Sequence, residues 1–427
     1  MSKFASLPGF RDFYPEDFAV RAHIIGVWRE VAARYGFLEY DGPPLEPVEL
    51  YTEKSGPEIV QQLYNFQDKG GRDVAMRPEM TPTLARMVGA RAGGMRKPIK
   101  WFSVPQLFRY ERAQRGRLRE HFQLNLDMVG EGTVAADAEM LAAAIDVLRG
   151  FGLTADDFIA RISDRQLLRA LLLQAGASES ALTLVYNIVD KLERESAENI
   201  SRRLVEEAGL SSETARQVLA IFQHRDFEAV RQAYGGIEEI SAEIGRMSEL
   251  FTQLEAMELS DYVRFDLSVV RGLAYYTGVV FELFDARGEL RAIAGGGRYD
   301  NLLQAVAGTD LPALGFGMGD VVLRELLSDR GLLPEVGSRI DFYLVAVTEN
   351  ERGDVMRLGH RLRDAGRSLE YGLRHQAVGK QLKAAGAVGA RAAIIIGPDE
   401  VSAGEVVMRV LETGEESRIA LSDLLGA

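Results

Sequence analysis

The feature that most constrains the fold is a block of about ninety residues, 163–251, that interrupts two regions of strand-like sequence. The block is rich in Leu, Ala, Glu and Arg and has one breaker region near Gly209, which predicts a helical insertion. Apolar residues alternate on both sides of it, as expected for strands with one buried face. The pattern therefore predicts one sheet-containing domain that is split by a helical insertion.

Local patterns on either side of the insertion predict individual elements. Helices are expected where apolar residues recur at three-to-four spacing, and strands where they alternate. The predicted helices are Asp17–Arg34, Ala136–Leu148 and a helix that ends near Leu327. The predicted extended or strand segments are 37–51, Ile99–Tyr110, Phe122–Val129, Tyr262–Val270 and a hairpin over Val279–Ile293 that turns at 285–288.

The sequence changes character again after a Pro/Gly/Ser-containing segment, Gly331–Ser338, which predicts a linker. Buried-type strands at Phe342–Val347 and Ala392–Ile396 then alternate with a helix at Asp354–Asp364. This alternation predicts a separate α/β module of about ninety residues.

Composition excludes several classes of function. The 427 residues carry a formal net charge of −13, which argues against a general polyanion-coating protein. Because the chain has no cysteine, disulfide scaffolds, thiolate zinc sites and cysteine nucleophiles are excluded. The five histidines are scattered, so a histidine-based metal site is not expected. No signal peptide and no run of 18 apolar residues is present, which predicts a cytoplasmic protein without a membrane span.

The densest chemical signal is the segment 109–119, which holds five arginines and one glutamate and is called here the arginine loop. It lies between two alternating apolar segments, so Arg109 and Glu111 can face one pocket of a hairpin. Arginine presents a planar fork to phosphate oxygens. An arginine cluster alone is more often a solvated surface loop, but its place in a hairpin favours a phosphate or nucleic-acid site.

Four further segments are ambiguous by themselves. Glu79 and Thr81 could clasp an ammonium group or simply cap a helix. Arg271 and the following tyrosines suggest an anion contact beside an aromatic pocket, or an ordinary strand. The glycines of 294–300 allow close approach to a ligand, or form a tight turn. The segment Gly315–Gly319 lacks the lysine of a phosphate-binding P-loop and the context of a dinucleotide site.

Taken in order, these segments resemble the histidyl-tRNA synthetases, a family of class II aminoacyl-tRNA synthetases. The resemblance runs from about Leu7 to the C-terminus, and its most discriminating parts are the two histidine-specific segments. The matching segments are Leu7–Asp12 (N-terminal signature), Tyr35–Pro43 (motif 1), Phe108–Glu111 with the loop that follows (motif 2), Arg271–Tyr276 and Gly296–Asp300 (histidine-specific) and Gly315–Gly319 (start of motif 3).

The resemblance implies an α+β fold: a class II synthetase antiparallel-sheet catalytic domain with a helical insertion, plus a C-terminal α/β anticodon-binding domain. The implied boundaries are 1–162 and 252–331 for the two parts of the catalytic domain, 163–251 for the insertion and 338–427 for the anticodon-binding domain. Residues 339–391 carry ten Lys/Arg and six Asp/Glu, a local excess of positive charge that suits an RNA-facing surface. A solvated helix face remains the alternative for that stretch.

The resemblance also implies a role for each matching site residue, with ATP, Mg²⁺, L-histidine and histidine tRNA as ligands and a homodimer as the assembly. Arg109 and Arg271 would stabilise the α-phosphate during attack by the histidine carboxylate, and Mg²⁺ would bridge the β- and γ-phosphates. The remaining ATP contacts would be Glu111 (adenine), Arg117 (γ-phosphate) and His121 (adenine). The histidine contacts would be Glu79, Thr81, Gln123, Asp127, Tyr275 and Tyr276, and the tRNA contacts Gln114, Arg115 and Arg119.

Four departures from the family pattern affect this reading. Val322 stands where a second nucleotide-binding arginine is usual, and Arg324 lies about 200° further round a helix, which makes it a poor substitute. The other departures are Ala274 in place of Asp, Ala113 in place of Pro and His121 in place of an adenine-stacking Phe.

Two alternatives to an active histidine–tRNA ligase remain at this stage. One is a non-catalytic relative, the regulatory subunit of ATP phosphoribosyltransferase, which Val322 and Ala274 favour somewhat. The arginines suited to ATP chemistry and the C-terminal module argue against it. The other is a synthetase for a different amino acid, for which Asp127 and Tyr276 are a poorer match.

Overall fold

The computed structural model describes residues 4–52, 60–112, 114–192, 195–224, 226–270, 275–334 and 340–426. Contacts along the chain divide it into two units, Met1–Pro334 and Glu335–Ala427. The break lies within the segment for which the sequence predicts a linker. Within the described ranges, no helix is both long and apolar enough to cross a bilayer.

The first unit has helices at the three positions predicted from apolar spacing and within the predicted insertion, together with further helices that were not predicted. In the described residues they are α1 (Pro15–Arg34), α2 (Glu49–Thr52), α3 (Thr81–Gly89), α4 (Val134–Arg149), α5 (Arg165–Gln174), α6 (Leu182–Val189), α7 (Ala197–Glu206), α8 (Ser212–Ile221), α9 (Phe227–Tyr234), α10 (Glu238–Ala256), α11 (Leu302–Ala307) and α12 (Asp320–Asp329).

The strands of the first unit form one large, mainly antiparallel sheet and one small sheet. The strands are β1 (Leu38–Glu39), β2 (Leu45–Pro47), β3 (Tyr64–Gln67), β4 (Asp73–Met76), β5 (Ile99–Ser103), β6 (Gln106–Phe108), β7 (Glu120–Val129), β8 (Phe158–Asp164), β9 (Val263–Phe265), β10 (Val279–Asp285), β11 (Ala294–Arg298) and β12 (Ala313–Gly319). The large sheet has the order β1-β5-β7-β12-β11-β10-β8-β9, with β6 paired to β7, and the small sheet has the order β2-β4-β3. Only the outer pairs β1–β5 and β8–β9 of the large sheet are parallel. The antiparallel fold class predicted from the sequence is therefore confirmed.

The helical insertion packs into the core of the sheet domain. Ile145 of α4 and Leu250 of α10 belong to one cluster of buried apolar side chains. Ala138 and Ala144 of α4 are fully buried, so neighbouring backbones can approach this helix closely. Strand β8 ends at Asp164, whose side chain accepts hydrogen bonds from two backbone N–H groups at the start of α5 and so begins the first helix of the insertion.

Several local expectations differ from the structure; for example, the second strand of the hairpin predicted over Val279–Ile293 begins only at Ala294. The alternation over 262–270 becomes a strand only at Val263–Phe265, after which Asp266 turns the chain by accepting a hydrogen bond from Ser268. The glycines of 294–300, for which a tight turn was the default, form the buried strand β11 instead. The reason is steric, because a Cβ on Gly296 would overlap β12 and one on Gly297 would overlap β10. Glycine here allows close packing within the sheet rather than a turn.

The second unit is an α/β module, as predicted. Its strands are β13 (Phe342–Ala346), β14 (Leu369–Tyr371), β15 (Ala392–Ile396), β16 (Glu405–Val410) and β17 (Glu416–Ala420), and its helices are α13 (Arg352–Asp364), α14 (Val378–Ala387), α15 (Pro398–Ala403) and α16 (Leu421–Gly426). The sheet order is β14-β13-β15-β16-β17. Alternate residues of β13 enter two different apolar clusters, so this strand is buried on both faces.

Candidate active site

The arginine loop is a hairpin excursion between β6 and β7, in agreement with the sequence. Phe108 pairs with Glu120, and Gln114 and Arg117 exchange backbone hydrogen bonds at the tip. Gly116 has φ of +71°, a conformation that glycine adopts without strain. The loop is therefore a closed turn with defined ends, and Arg109 and Arg117 lie on its two arms.

The tip of the arginine loop is attached to α12. Glu325 accepts hydrogen bonds from the Arg115 guanidinium at 3.1 Å and from the Gly116 backbone N–H at 3.2 Å. Arg119, at the other end of the loop, lies over the Tyr110 ring at 4.2 Å and donates to the Glu111 backbone carbonyl. The three residues predicted to contact tRNA, Gln114, Arg115 and Arg119, therefore have defined positions on one loop.

One face of β7 carries three of the predicted site residues. Successive side chains of a strand alternate between faces, so His121, Gln123 and Asp127 share the same side of the sheet. Arg109 lies beside them at the end of β6, where its Nε donates to the Pro78 carbonyl oxygen at 2.9 Å. That bond connects the arginine loop to the segment that carries Glu79.

The glycines of β12 make room for the polar side chains of β7. A Cβ on Gly317 would overlap the Gln123 amide, and one on Gly315 would overlap the Asp127 carboxylate. Gly315 is the direct antiparallel partner of Asp127. The glycine-rich segment 315–319 is therefore a strand whose missing side chains leave space above the sheet, rather than a nucleotide-binding loop.

Asp127 is the most unusual ionisable group of the site. It is 4% exposed, and one carboxylate oxygen accepts a hydrogen bond from the Tyr299 hydroxyl. The other oxygen, Oδ2, is buried without a hydrogen-bond partner. Burial raises the pKa of Asp127 to about 7, and the Tyr299 hydrogen bond acts in the opposite direction. A buried acceptor with an unused oxygen is suited to a ligand that brings its own N–H donor.

Tyr299 belongs to a group of three tyrosines. Tyr275 packs against Tyr276 at a tilt, with ring centroids 5.1 Å apart, and meets Tyr299 edge-on at 5.9 Å. The Tyr275 hydroxyl lies 3.4 Å from Oε2 of Glu79, which is buried. The structure thus brings Glu79, Asp127, Tyr275 and Tyr276 into one polar, aromatic-walled cluster, and Thr81 begins α3 next to it.

A cavity of about 680 Å³ opens beside this cluster. Of the residues predicted to bind ATP or histidine, Arg109, Glu111, Arg117, His121 and Gln123 line it. Further lining residues come from β8, β10, the segment 268–270, the loop before β11, the start of α12 and Asp190, which directly follows α6. Gln123 lies on the same face of β7 as Asp127, so the cavity and the aromatic cluster are neighbours along one strand.

Glu111 and Arg117 form an ion pair within the cavity. Glu111 is buried, whereas Arg117 is about one-third exposed. A ligand that binds the Arg117 Nε or the Glu111 Oε2 atom would compete with this pair.

His121 is neutral in this environment. Burial, together with the nearby positive charges of Arg109 and Arg11, lowers its pKa to about 3. His121 therefore adds a flat ring to the cavity wall without adding a positive charge.

Two important residues were not assigned roles from the sequence. Tyr299 lies in the histidine-specific segment 296–300, but its hydrogen bond to Asp127 joins residues 172 positions apart in the sequence. Arg11 donates to Glu120 at 2.6 Å and to Asp320 at 2.8 Å, which ties the N-terminal segment to β7 and α12. Arg11 belongs to the N-terminal signature, but no local pattern indicates its partners.

Arg271 and Ala274 lie outside the described residues. Thr277 follows them and lies between the Arg298 carbonyl and the Asp300 carboxylate. Within the described part of the chain, no three His, Cys, Asp or Glu side chains gather as a metal site.

Comparisons with known proteins agree with this arrangement. The model of the histidyl-tRNA synthetase family matches residues 9–320, and that of the anticodon-binding domain matches residues 341–427. A histidine–tRNA ligase of Opitutus terrae is 46% identical over 98% of this chain and 96% of its own length. A chloroplastic/mitochondrial histidine–tRNA ligase of Arabidopsis thaliana is 40% identical over 97% of this chain and 85% of its own length. The crystal structure of histidyl-tRNA synthetase from Nostoc sp. PCC 7120 superposes with a TM-score of 0.82 at 23% identity, covering 100% of this chain and 99% of that one, which supports the fold.

Proposed function

The chain belongs to the histidyl-tRNA synthetase family, and from that premise we propose that it is a histidine–tRNA ligase. In the first step a histidine carboxylate oxygen attacks the α-phosphorus of ATP, which forms histidyl-adenylate and releases pyrophosphate. In the second step a terminal ribose hydroxyl of histidine tRNA attacks the adenylate carbonyl carbon, which forms the ester and releases AMP.

The observation that carries the proposal is the buried Asp127 carboxylate with an unused oxygen. An imidazole N–H would satisfy Oδ2 while Tyr299 continues to hold the other oxygen. Tyr276 is the partner proposed for the second imidazole nitrogen. A site that bonds both nitrogens discriminates against side chains that leave its buried polar groups unpaired.

The proposed binding of the rest of histidine follows from the neighbouring groups. Glu79 supplies a buried carboxylate for the α-ammonium group, and Thr81 and Gln123 add hydrogen bonds to it. Tyr275 supports this assignment, because its hydroxyl lies near the Glu79 carboxylate. The histidine carboxylate would then face Arg109, near the cavity.

The proposed ATP contacts lie along the cavity. Arg109 would hold the α-phosphate, Arg117 the γ-phosphate, Glu111 the adenine amino group, and the neutral ring of His121 would face the base. ATP would then contact both members of the Arg117–Glu111 ion pair. We infer that ATP would enter as its Mg²⁺ complex, in which the ion would offset phosphate charge, since Mg²⁺ commonly relies on substrate phosphates rather than on a protein cage.

Arg271 is proposed as the second catalytic arginine, acting on the α-phosphate as charge develops there. Arg271→Ala is expected to abolish histidine-dependent exchange of pyrophosphate into ATP while histidine still binds, because histidine is held by other groups. Exchange and equilibrium binding of histidine are the two measurements. Exchange at the wild-type rate in this variant would remove Arg271 from the mechanism.

A homodimer in the cytoplasm is proposed as the working form. Two exposed leucines support this: Leu38 in the motif 1 segment is 68% exposed, and Leu45 just after it is 44% exposed. Such residues are suited to an interface with a second copy. Sedimentation analysis of the full chain tests the assembly, and a monomer at micromolar concentration would contradict it.

The tRNA is proposed to bind at two places. Gln114, Arg115 and Arg119 of the arginine loop would contact its acceptor end, and the C-terminal module would read its anticodon. The regulatory-subunit alternative is less supported, since relatives that share nearly the full length are ligases by name and the anticodon-binding domain is present.

The proposed function is tested by histidine-dependent ATP–pyrophosphate exchange with the purified chain. Histidine should support exchange, and the other amino acids should not, because they leave Asp127 without its partner. The absence of exchange above background with histidine would reject the proposal.

A further inference from the structure

The loop between β10 and β11, residues 286–293, places one arginine on the wall of the cavity. This side chain, Arg291, lines the cavity next to the tip of the arginine loop. A Cβ built on Gly116 would lie 3.6 Å from the Arg291 Cδ atom and 3.6 Å from a methyl group of Val322. Arg291 therefore meets the tip of the arginine loop and the first turn of α12 at one point.

The loop that carries Arg291 is anchored at both ends. Asp285 accepts backbone hydrogen bonds from residues 287 and 289, and its carboxylate is also held by Arg330 at 2.6 Å. At the other end, Ile293 is buried and its N–H donates to the Leu283 carbonyl. Leu290, next to Arg291, packs against the main apolar core. The position of Arg291 is thus set by the fold.

The residues around Arg291 show why a positive charge at this point of the cavity wall is significant. Val322 places an apolar side chain on the cavity wall at the start of α12. Arg324, two residues further along the helix, pairs with Asp17 of α1 at 2.6 Å and does not line the cavity. Arg117 is on the same wall and is paired with Glu111. Arg291 brings a guanidinium from another part of the chain to the place where α12 itself supplies none.

We propose that Arg291 binds the β- and γ-phosphates of ATP together with Arg117, at the tip of the arginine loop. The inference rests on the proposed function for the identity of the nucleotide. A planar guanidinium bonds phosphate oxygens in pairs, and two of them can share the charge of a triphosphate tail. Arg291 thereby restores the phosphate-binding charge that Val322 does not provide.

The first experiment compares ATP with AMP, because only ATP carries the β- and γ-phosphates. Equilibrium binding of each nucleotide to the full chain is measured by calorimetry for wild type, Arg291→Ala and Arg291→Lys. Arg291→Ala should weaken ATP binding about tenfold or more and leave AMP binding unchanged. The lysine variant should fall between, since it keeps the charge without the paired donors.

A matched control is Arg287→Ala in the same loop. Arg287 is exposed and does not line the cavity, so its loss should change neither nucleotide's affinity. A second variant, Arg291→Ala with Val322→Arg, places a guanidinium on α12 beside the vacated position. It should recover a substantial part of the ATP affinity, and no recovery would contradict the assigned position.

The inference is overturned if Arg291→Ala leaves ATP binding unchanged, weakens AMP as much as ATP, or weakens only tRNA binding. Calorimetry is done without histidine or tRNA. Failure of histidine-dependent exchange in the wild type would therefore reject the proposed function while the ATP and AMP comparison still decides the role of Arg291.

Where exchange is present, Arg291→Ala should raise the KM for ATP and for pyrophosphate and leave the KM for histidine unchanged.

Discussion

At the scale of the residue, the account depends on how Asp127 is held. Its carboxylate is buried, one oxygen is fixed by Tyr299 and the other has no partner. An unsatisfied buried acceptor destabilises a fold by about 1–3 kcal/mol or more, which indicates that it is kept for binding. We therefore expect the affinity for histidine to depend on this one oxygen.

Asp127→Asn should raise the KM for histidine on the order of 100-fold, because the charged acceptor of the imidazole N–H is lost. The side chain keeps an oxygen for Tyr299, so the surrounding packing should persist. The KM for ATP should change little, since the cavity proposed to bind ATP lies on the side of Gln123 away from Asp127. Exchange kinetics measure both constants, and a histidine KM within threefold of wild type would contradict the role of Asp127.

The raised pKa of Asp127 also predicts how its effect on stability depends on pH. In the unfolded chain an aspartate titrates near its ordinary value of about 4, whereas in the fold its pKa is about 7. The folded protein therefore holds a proton that the unfolded chain has lost between these values, and the contribution of Asp127 to stability decreases as the pH rises from 4 to 7. It is constant outside this window.

The Asp127→Asn variant lacks this titration. Its comparison with wild type therefore separates the contribution of Asp127 from that of other buried carboxylates such as Asp137. Relative to wild type, the variant should gain stability as the pH rises from 5 to 7 and show no further gain above pH 8. Unfolding midpoints of both proteins across this range provide the measurement. A difference that stays constant with pH would show that Asp127 titrates normally.

At the scale of the element, strand β12 determines the depth of the site. Its glycines leave space for the Gln123 and Asp127 side chains of β7. Outside the context of the sheet, its glycine-rich sequence could be mistaken for a phosphate-binding loop. In the sheet, β12 is a strand whose glycines leave one face without side chains.

Gly317→Ala should destabilise the protein by about 1–3 kcal/mol and raise the KM for histidine, because the new methyl group displaces the Gln123 amide. Adding Gln123→Ala should recover most of the lost stability, since the overlap is relieved, without recovering the affinity for histidine. Denaturant unfolding and exchange kinetics distinguish the two effects. Equal stability of wild type and Gly317→Ala would contradict the packing argument.

The elements themselves were largely predictable from the sequence. Periodicity gave α1, α4 and β7, because each buries one clear set of apolar side chains, and a continuous apolar run gave β13, which is buried on both faces. It failed for β11, since three consecutive glycines carry no side-chain pattern and are chosen for close backbone packing. Pairing order was not predictable either, because hydrogen bonds between strands far apart in sequence leave no local signal.

At the scale of the whole molecule, two units have separate cores. The insertion shares the main apolar cluster with the sheet, whereas the clusters of the C-terminal module contain only its own residues. The site residues described above all belong to the first unit. The adenylation chemistry and the recognition of the anticodon can therefore be separated by truncation.

Deleting residues 338–427 should leave histidine-dependent exchange within about threefold of the full chain, because the first unit keeps its own core. Charging of histidine tRNA should fall at least 100-fold through weaker tRNA binding. Parallel exchange and charging assays on both proteins test this. Undiminished charging by the truncated chain would reject the anticodon-binding role of the module.

The sequence located most of the proposed site through the order of its motifs, and not through any one residue. Arg109, Glu111 and Arg117 could be grouped because they share one hairpin. Tyr299 and Asp127 could not be paired, and neither could Arg291 be placed beside Val322, since these contacts depend on strand order. The net charge of −13 likewise gave no indication of the local excess of positive charge over 339–391.

The most direct test of the account is the charging of histidine tRNA by the purified full-length chain with ATP, Mg²⁺ and labelled histidine. The account predicts that labelled histidine becomes esterified to this tRNA, that esterification requires ATP, and that Asp127→Asn loses it at low histidine concentration. A chain that binds histidine but forms no histidyl-tRNA would contradict the central claim and favour a regulatory relative.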